Sequence, residues 1–149
     1  MTIRPMTIDD FDEVTALWNA SLSSTRGIDD TREAITRFLN RNAGLSVVAE
    51  LDGNIVGSIL CGHDGRQGFL YRVAVDAKQR RAGIGQAMVR ACLVALRRES
   101  IRKCTLVTYK SNDLGNAFWP AQGFILQNQL GLYEWRAAHD QADDHRGLR

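Results

Sequence analysis

Arg80-Arg81-Ala82-Gly83-Ile84-Gly85-Gln86 sets two guanidinium groups and two glycines at the point where a helical pattern begins. From Gln86 to Arg98, Met88, Cys92 and Leu96 recur at helical spacing, with Val89, Leu93 and Val94 beside them. A helix start presents N–H groups that have no intrahelical partner and carries a partial positive charge, so it suits a phosphate. Gly83 and Gly85 lack a Cβ, which lets a ligand approach the main chain closely. Arg80 and Arg81 add two full positive charges at the mouth of that helix. The chemistry this stretch can do is hold a diphosphate.

Spacing separates the glycine patterns that bind phosphates. A P-loop needs Gly-Lys-Ser/Thr at the end of its turn, and here Gln86 and Ala87 follow Gly85. A dinucleotide fingerprint needs a third small residue and a directly preceding strand, but Met88 stands at the third position and a polar turn intervenes. The pattern that remains is Arg/Gln-x-x-Gly-x-Gly/Ala. With the apolar run Val73-Ala74-Val75 before it, this stretch resembles the main acetyl-CoA motif of the GNAT superfamily of acyl-CoA-dependent N-acetyltransferases. A second block, Asn112 through Phe118-Trp119 to Gly123-Phe124, is similar to that family's Asn…Phe-Tyr…Gly-Phe segment. The opening Ile3-Arg4-Pro5-Met6 and Asp9-Asp10-Phe11 resembles its first strand and helix. The likeness runs from about Thr2 to Trp135.

The resemblance implies an N-acetyltransferase that moves acetyl from acetyl-CoA to a primary amine by direct attack in a ternary complex. A non-catalytic acyl-CoA-binding or sensor module is the alternative. It implies acetyl-CoA as co-substrate, no metal, and a small-molecule or peptide amine as acceptor. By the same likeness the carrier's arm pairs with the main chain of Val73, Ala74 and Val75. Its pyrophosphate sits on the N–H groups of Arg81, Ala82, Gly83, Ile84, Gly85 and Gln86, beside the Arg80 and Arg81 side chains. Asn112, Asn116 and Trp119 are the further carrier-side candidates.

Acetyl transfer also needs a neutral amine, a donor for the thioester oxygen and a proton for the leaving thiolate. Family members often place a carboxylate on the central strand as base, but this chain has Tyr71 and Arg72 there. His63 and Asp64, in the preceding turn, are the substitute candidates, although Asp and Gly cluster in turns for conformational reasons alone. The family's usual acid, a tyrosine, falls at Trp119, and an indole N–H is not a useful proton donor. Tyr109 and Ser111 are the candidates in its place. Ser23 to Arg26 and Tyr71 border the implied acceptor site, with Arg26 and Tyr71 the substrate-binding candidates.

The 149 residues suffice for one domain with a sizeable core, expected over 1–137, with a polar tail over 138–149. Hydrophobic residues at 44% and charged residues at 24% give a soluble balance, and a net charge of +2 does not argue for nucleic-acid or membrane binding. No nucleic-acid or membrane partner is expected, and a homodimer is the default association. Cys61, Cys92 and Cys104 lie in apolar segments without metal-ligand spacing and read as reduced core thiols. No signal segment or bilayer-length apolar stretch is visible, so a cytoplasmic address is expected.

The elements that must position these residues follow in order. Thr2–Arg4 reads as a strand, and Thr7 as the cap of a helix carrying Phe11, Val14, Leu17 and Trp18 on one face. A second helix spans about 30–40. The runs 46–51 and 54–61, joined by Asp52-Gly53, form a hairpin. Residues 69–75 add a third antiparallel strand. The glycine helix then crosses over to a parallel strand at 104–109. A helix over 112–121 and two last strands, 124–128 and 132–135, complete an α+β fold: a mixed central sheet, an antiparallel meander plus one parallel pair splayed at the acyl-CoA site, flanked by about four helices.

Overall fold

The computed structural model describes residues 1–22 and 27–137. The backbone groups into two compact units, Met1–Val107 and the chain from Thr108 onward. The first unit holds β1 (Thr2–Pro5), α1 (Phe11–Ser21), α2 (Arg32–Arg41), β2 (Val47–Leu51), β3 (Asn54–His63), β4 (Gly68–Val75), α3 (Ile84–Arg98) and β5 (Cys104–Thr105). The second holds α4 (Asp113–Ala121). The fold is α+β: one mixed five-stranded sheet, in order β1-β2-β3-β4-β5, and four α-helices among the described residues. No helix of the described residues is long and apolar enough to cross a membrane.

β1 to β4 are antiparallel neighbours, and β4 pairs with β5 in parallel across the α3 crossover. The Asp52-Gly53 turn between β2 and β3 has positive φ at both residues, 53° and 80°, the geometry a two-residue hairpin requires. One face of the sheet carries Val48, Leu60 and Ala74, which pack with Val14, Leu17 and Trp18 of α1 and Ile35 of α2. Thr7 caps the short 3-10 turn Ile8–Asp10 that leads into α1, rather than α1 itself. The Asp10 carboxylate accepts from Thr7 N at 2.9 Å, and Thr31 Oγ1 accepts from Ala34 N at 3.1 Å.

Met88, Cys92 and Leu96 of α3 are buried. A Cβ at Gly57 would stand 2.8 Å from Met88 Cε, and one at Gly68 2.7 Å from Leu96 Cδ1. Two strand glycines therefore admit α3 close against β3 and β4. Cys61 and Cys92 are wholly buried, Cys104 is half-buried, and all three are free thiols.

Two expectations are corrected. The parallel strand expected over 104–109 pairs only at Cys104 and Thr105, opposite Gly68 and Phe69. β4 itself continues to Val75 beyond that pairing. The strands expected at 124–128 and 132–135 are not formed. Alternating apolar residues suit a strand, but a strand exists only with a ladder partner. This stretch instead makes a turn in which Leu130 N donates to Gln127 O at 3.2 Å. The tail expected over 138–149 lies outside the described residues.

Candidate active site

The site is built on an irregularity in β4. Ser58 pairs with Ala74 and Leu60 with Tyr71, so Ile59 faces two residues, Arg72 and Val73. This is a β-bulge, which bends a strand and increases its twist. Arg72 has φ 50°, a left-handed backbone that costs a side-chain-bearing residue about 1 kcal/mol or more. Tertiary contacts hold it there. Its guanidinium forms a salt bridge with Asp30, Nε lying 3.2 Å from Oδ1, and the pair is 15% and 4% exposed. The same guanidinium lies 5.7 Å from the centre of the Trp18 ring, and the Trp18 indole N–H donates to Ser58 Oγ at 2.9 Å. Asp30 also accepts from Gly27 N at 2.9 Å.

β4 runs on beyond its pairing with β5. Pairing with β5 ends at Phe69 opposite Thr105, so Val73, Ala74 and Val75 have no partner on that side among the described residues. Their backbone groups there are available to another extended chain.

Beyond Val75 the main chain turns into α3. Asp76 N donates to Val56 O at 2.8 Å, and the Asp76 carboxylate accepts from Lys78 N at 3.2 Å. Arg81 has φ 68° and Gly83 φ 80°, and Gly83 is the N-cap of α3. A Cβ on Gly83 would meet nothing within 4 Å, so the glycine answers a conformational need and leaves open space in front of the helix. Gly83 O takes the first helical bond, from Ala87 N at 3.0 Å. The nitrogens of Ile84, Gly85 and Gln86 then have no partner within the helix. The Arg80 and Arg81 side chains are exposed, with no ion pair among the described residues. This cradle fits a diphosphate.

Tyr71, one residue before the bulge, is 47% exposed. Its ring meets Phe38 of α2 edge-on at 6.0 Å and stacks with Phe69 at 6.1 Å. Burial of part of the ring, and after it the Asp29 charge, raise the phenol's pKa above its ordinary value. Sequence reading missed Phe38, Phe69 and Asp29; only the alternation of Phe69 with Tyr71 hinted at a shared face.

The structure places His63 and Asp64, the base candidates, at the start of β4. His63 pairs with Gly68, the first residue of β4, whereas Val75 pairs with Gly57. Six residues of strand separate those pairs, roughly 20 Å at the usual rise. His63 is tied up locally: Nε2 lies 2.8 Å from Glu99 Oε1, and Nδ1 accepts from Gly65 N. Asp64 accepts from Gln67 N and Arg66 N, and these bonds lower its pKa. Both residues are explained as the turn that starts β4. Arg26 lies outside the described residues.

The remaining candidates belong to the second unit. Asn112 caps α4, accepting from Gly115 N at 3.0 Å and donating to Thr108 Oγ1 at 3.2 Å. Asn116 Nδ2 donates to Tyr109 O at 3.3 Å and Lys110 O at 2.9 Å. The two asparagines thus shape the segment holding Tyr109 and Ser111, and Tyr109 is 55% exposed. Trp119 is buried between Phe118 and Phe124, ring centres 4.9 Å and 5.1 Å away.

The sheet, the interrupted parallel pair and the glycine-capped crossover helix define an α+β protein of the acyl-transfer type. The profile of the Acetyltransferase (GNAT) family matches residues 11–124, and the chain belongs to that family of enzymes. An acetyltransferase of Sodalis glossinidius (strain morsitans) is 32% identical over 141 residues, covering 95% of this chain and 99% of that protein. Ard1 from Thermoplasma volcanium shares the fold with a TM-score of 0.76 at 24% identity, over 85% of this chain and 83% of that one. PaiA N-acetyltransferase from Thermoplasma acidophilum, solved in complex with coenzyme A, does so at 0.77 and 17%, over 87% and 92%.

Proposed function

We propose that this protein transfers an acetyl group from acetyl-CoA to a primary amine by direct attack in a ternary complex. The observation that carries this reading is the free edge of β4 at Val73–Val75 running into the Gly83 cap of α3. One feature lets an extended arm add to the sheet, and the next receives a diphosphate. The Arg80 and Arg81 side chains then make charge-assisted contacts, about twice as strong as neutral ones. Asn112, Asn116 and Trp119 are assigned to the carrier's side on the strength of the second sequence block.

Acetyl-CoA supplies an activated acyl thioester. The chain's own tasks are to orient it, to meet the charge that builds on the carbonyl oxygen, and to manage two protons. A main-chain N–H in the Val73–Val75 stretch serves the oxygen. Tyr71 borders the acceptor. With Arg72 committed to Asp30 and no carboxylate on the strand, water carries the proton from the amine. Tyr109 and Ser111 are the donors assigned to the leaving thiolate; Tyr109 is the better, because its phenol is exposed.

Titration calorimetry with acetyl-CoA, followed by thiol release across a panel of amines, tests the reading. Binding with turnover is the expected result. Absence of binding to folded protein overturns it, and binding without turnover on any amine identifies a sensor module instead.

A further inference from the structure

The acceptor side of β4 carries more than Tyr71. Phe69 and Tyr71 stack along the strand, Phe38 of α2 closes the corner at 85° to Tyr71, and nearly half of the tyrosine surface stays open. The turn Ile28–Asp30 brings two adjacent carboxylates to this region, and they are used differently. Asp30 is buried against Arg72, while Asp29 is exposed and in no ion pair among the described residues. It adjoins Asp30, whose salt bridge to Arg72 brings this turn beside Tyr71, the residue before Arg72. Since Arg72 and Asp30 cancel, the local balance of these three groups is one negative charge beside open aromatic surface.

Aromatic faces with a carboxylate next to them select cations. The nitrogen that attacks a thioester must be neutral at attack, so a cation still held here during transfer is not the reacting nitrogen. We propose that Tyr71, Phe69, Phe38 and Asp29 bind a second, permanently protonated amine of the acceptor, which makes the substrate class an aliphatic diamine or polyamine. The inference rests on the acetyl-transfer reading above. Tyr71 and Phe69 precede Val73 by two and four residues, so the second cation sits roughly 7–13 Å along the strand from the free edge. Monoamines reach the edge but leave the platform empty. Anionic acceptors meet the Asp29 charge.

The test is thiol release from acetyl-CoA with α,ω-diamines of increasing length, each beside the n-alkyl monoamine of equal length. For the best diamine, kcat/KM should exceed that of its monoamine by about tenfold, the weight of one partly desolvated cation–aromatic contact. Asp29→Asn, on an exposed turn, should remove most of that preference through KM while calorimetry shows unchanged acetyl-CoA affinity. Tyr71→Leu should do the same and Tyr71→Phe should keep the ring-dependent part. Equal rates for diamine and monoamine in the natural protein overturn the proposal, as does a preference that survives both Asp29→Asn and Tyr71→Leu in folded protein. If acetyl-CoA binds and no amine turns over, calorimetry of diamine against monoamine on the acetyl-CoA-saturated protein decides, and equal or absent binding overturns it. If acetyl-CoA itself fails to bind, the transfer reading falls separately, and the same comparison on the protein alone judges the platform.

Discussion

Replacing Asp30 by Asn tests what holds the bulge. The carboxylate is 4% exposed, faces the Arg72 guanidinium and also receives Gly27 N. Asparagine keeps the shape and one acceptor oxygen but removes the charge opposite Arg72. Taking one partner from a buried ion pair costs about 3–5 kcal/mol. A domain's whole stability is about 5–15 kcal/mol, so this loss is a large part of it. At this chain length each kcal/mol moves the melting temperature by about 2–4 °C, so a fall of about 10 °C is expected. Urea unfolding followed by circular dichroism supplies the free energy. Arg72→Met, alone and with Asp30→Asn, closes a double-mutant cycle. Methionine carries the same backbone penalty at φ 50° as arginine, so the comparison reports the side chain only. The double variant should regain much of what each single variant loses, with a coupling of about 2–3 kcal/mol. A single-variant loss below about 1 kcal/mol, together with no coupling, would refute the claim that this pair holds the bulge.

Three further outcomes follow from the same structure. Gly83→Ala should cost about 1 kcal/mol through its φ of 80° alone and keep measurable acetyl-CoA binding, whereas Gly83→Asp should abolish it by setting a negative charge before the helix; equal affinities by calorimetry would contradict the cradle. The hydrogen bond from Arg4, more than that from Thr7 N, lowers the Asp10 pKa below its ordinary 3.8, so its contribution is complete above that pH and lost as pH falls through the depressed folded value; acid unfolding of Asp10→Asn should be flatter than that of the natural protein in this range. Cys61 and Cys92 are wholly buried and burial pushes the Cys104 thiol up to about 12, so iodoacetamide should leave all three unlabelled in folded protein and label all three in denaturant, as counted by mass spectrometry.

Local chemistry was legible in the sequence and long-range causes were not. Asp52-Gly53 announces its turn because only residues tolerant of positive φ serve there, and both angles are positive. Gly83 announces the helix start for the same reason. Nothing in Tyr71-Arg72-Val73 marks a bulge, because its cause is the contact with Asp30 and Trp18 from earlier parts of the chain. The shortness of β5, paired only at Cys104 and Thr105, was equally hidden. The alternation of apolar residues after Phe124 was visible, but a period of two cannot supply the partner that makes a strand. The distance of His63 and Asp64 from the free edge was also hidden: the turn before β4 lies at its first residue, and the free edge lies at its last.

The exchange of a strand carboxylate for Arg72 bears directly on the chemistry. An unopposed guanidinium beside the acceptor would repel the ammonium form in which most amines arrive. The structure removes that obstacle by dividing two neighbouring carboxylates: Asp30 turns inward and cancels Arg72, and Asp29 stays at the surface near Tyr71. On the proposed reading the acceptor side thus keeps a negative field although its strand carries an arginine. In the proposed reaction no strand carboxylate stands beside the attacking nitrogen, and water takes its proton. Affinity for a charged acceptor and deprotonation of its reacting amine are then served by different groups, and substitutions at Asp29 should act on KM far more than on kcat.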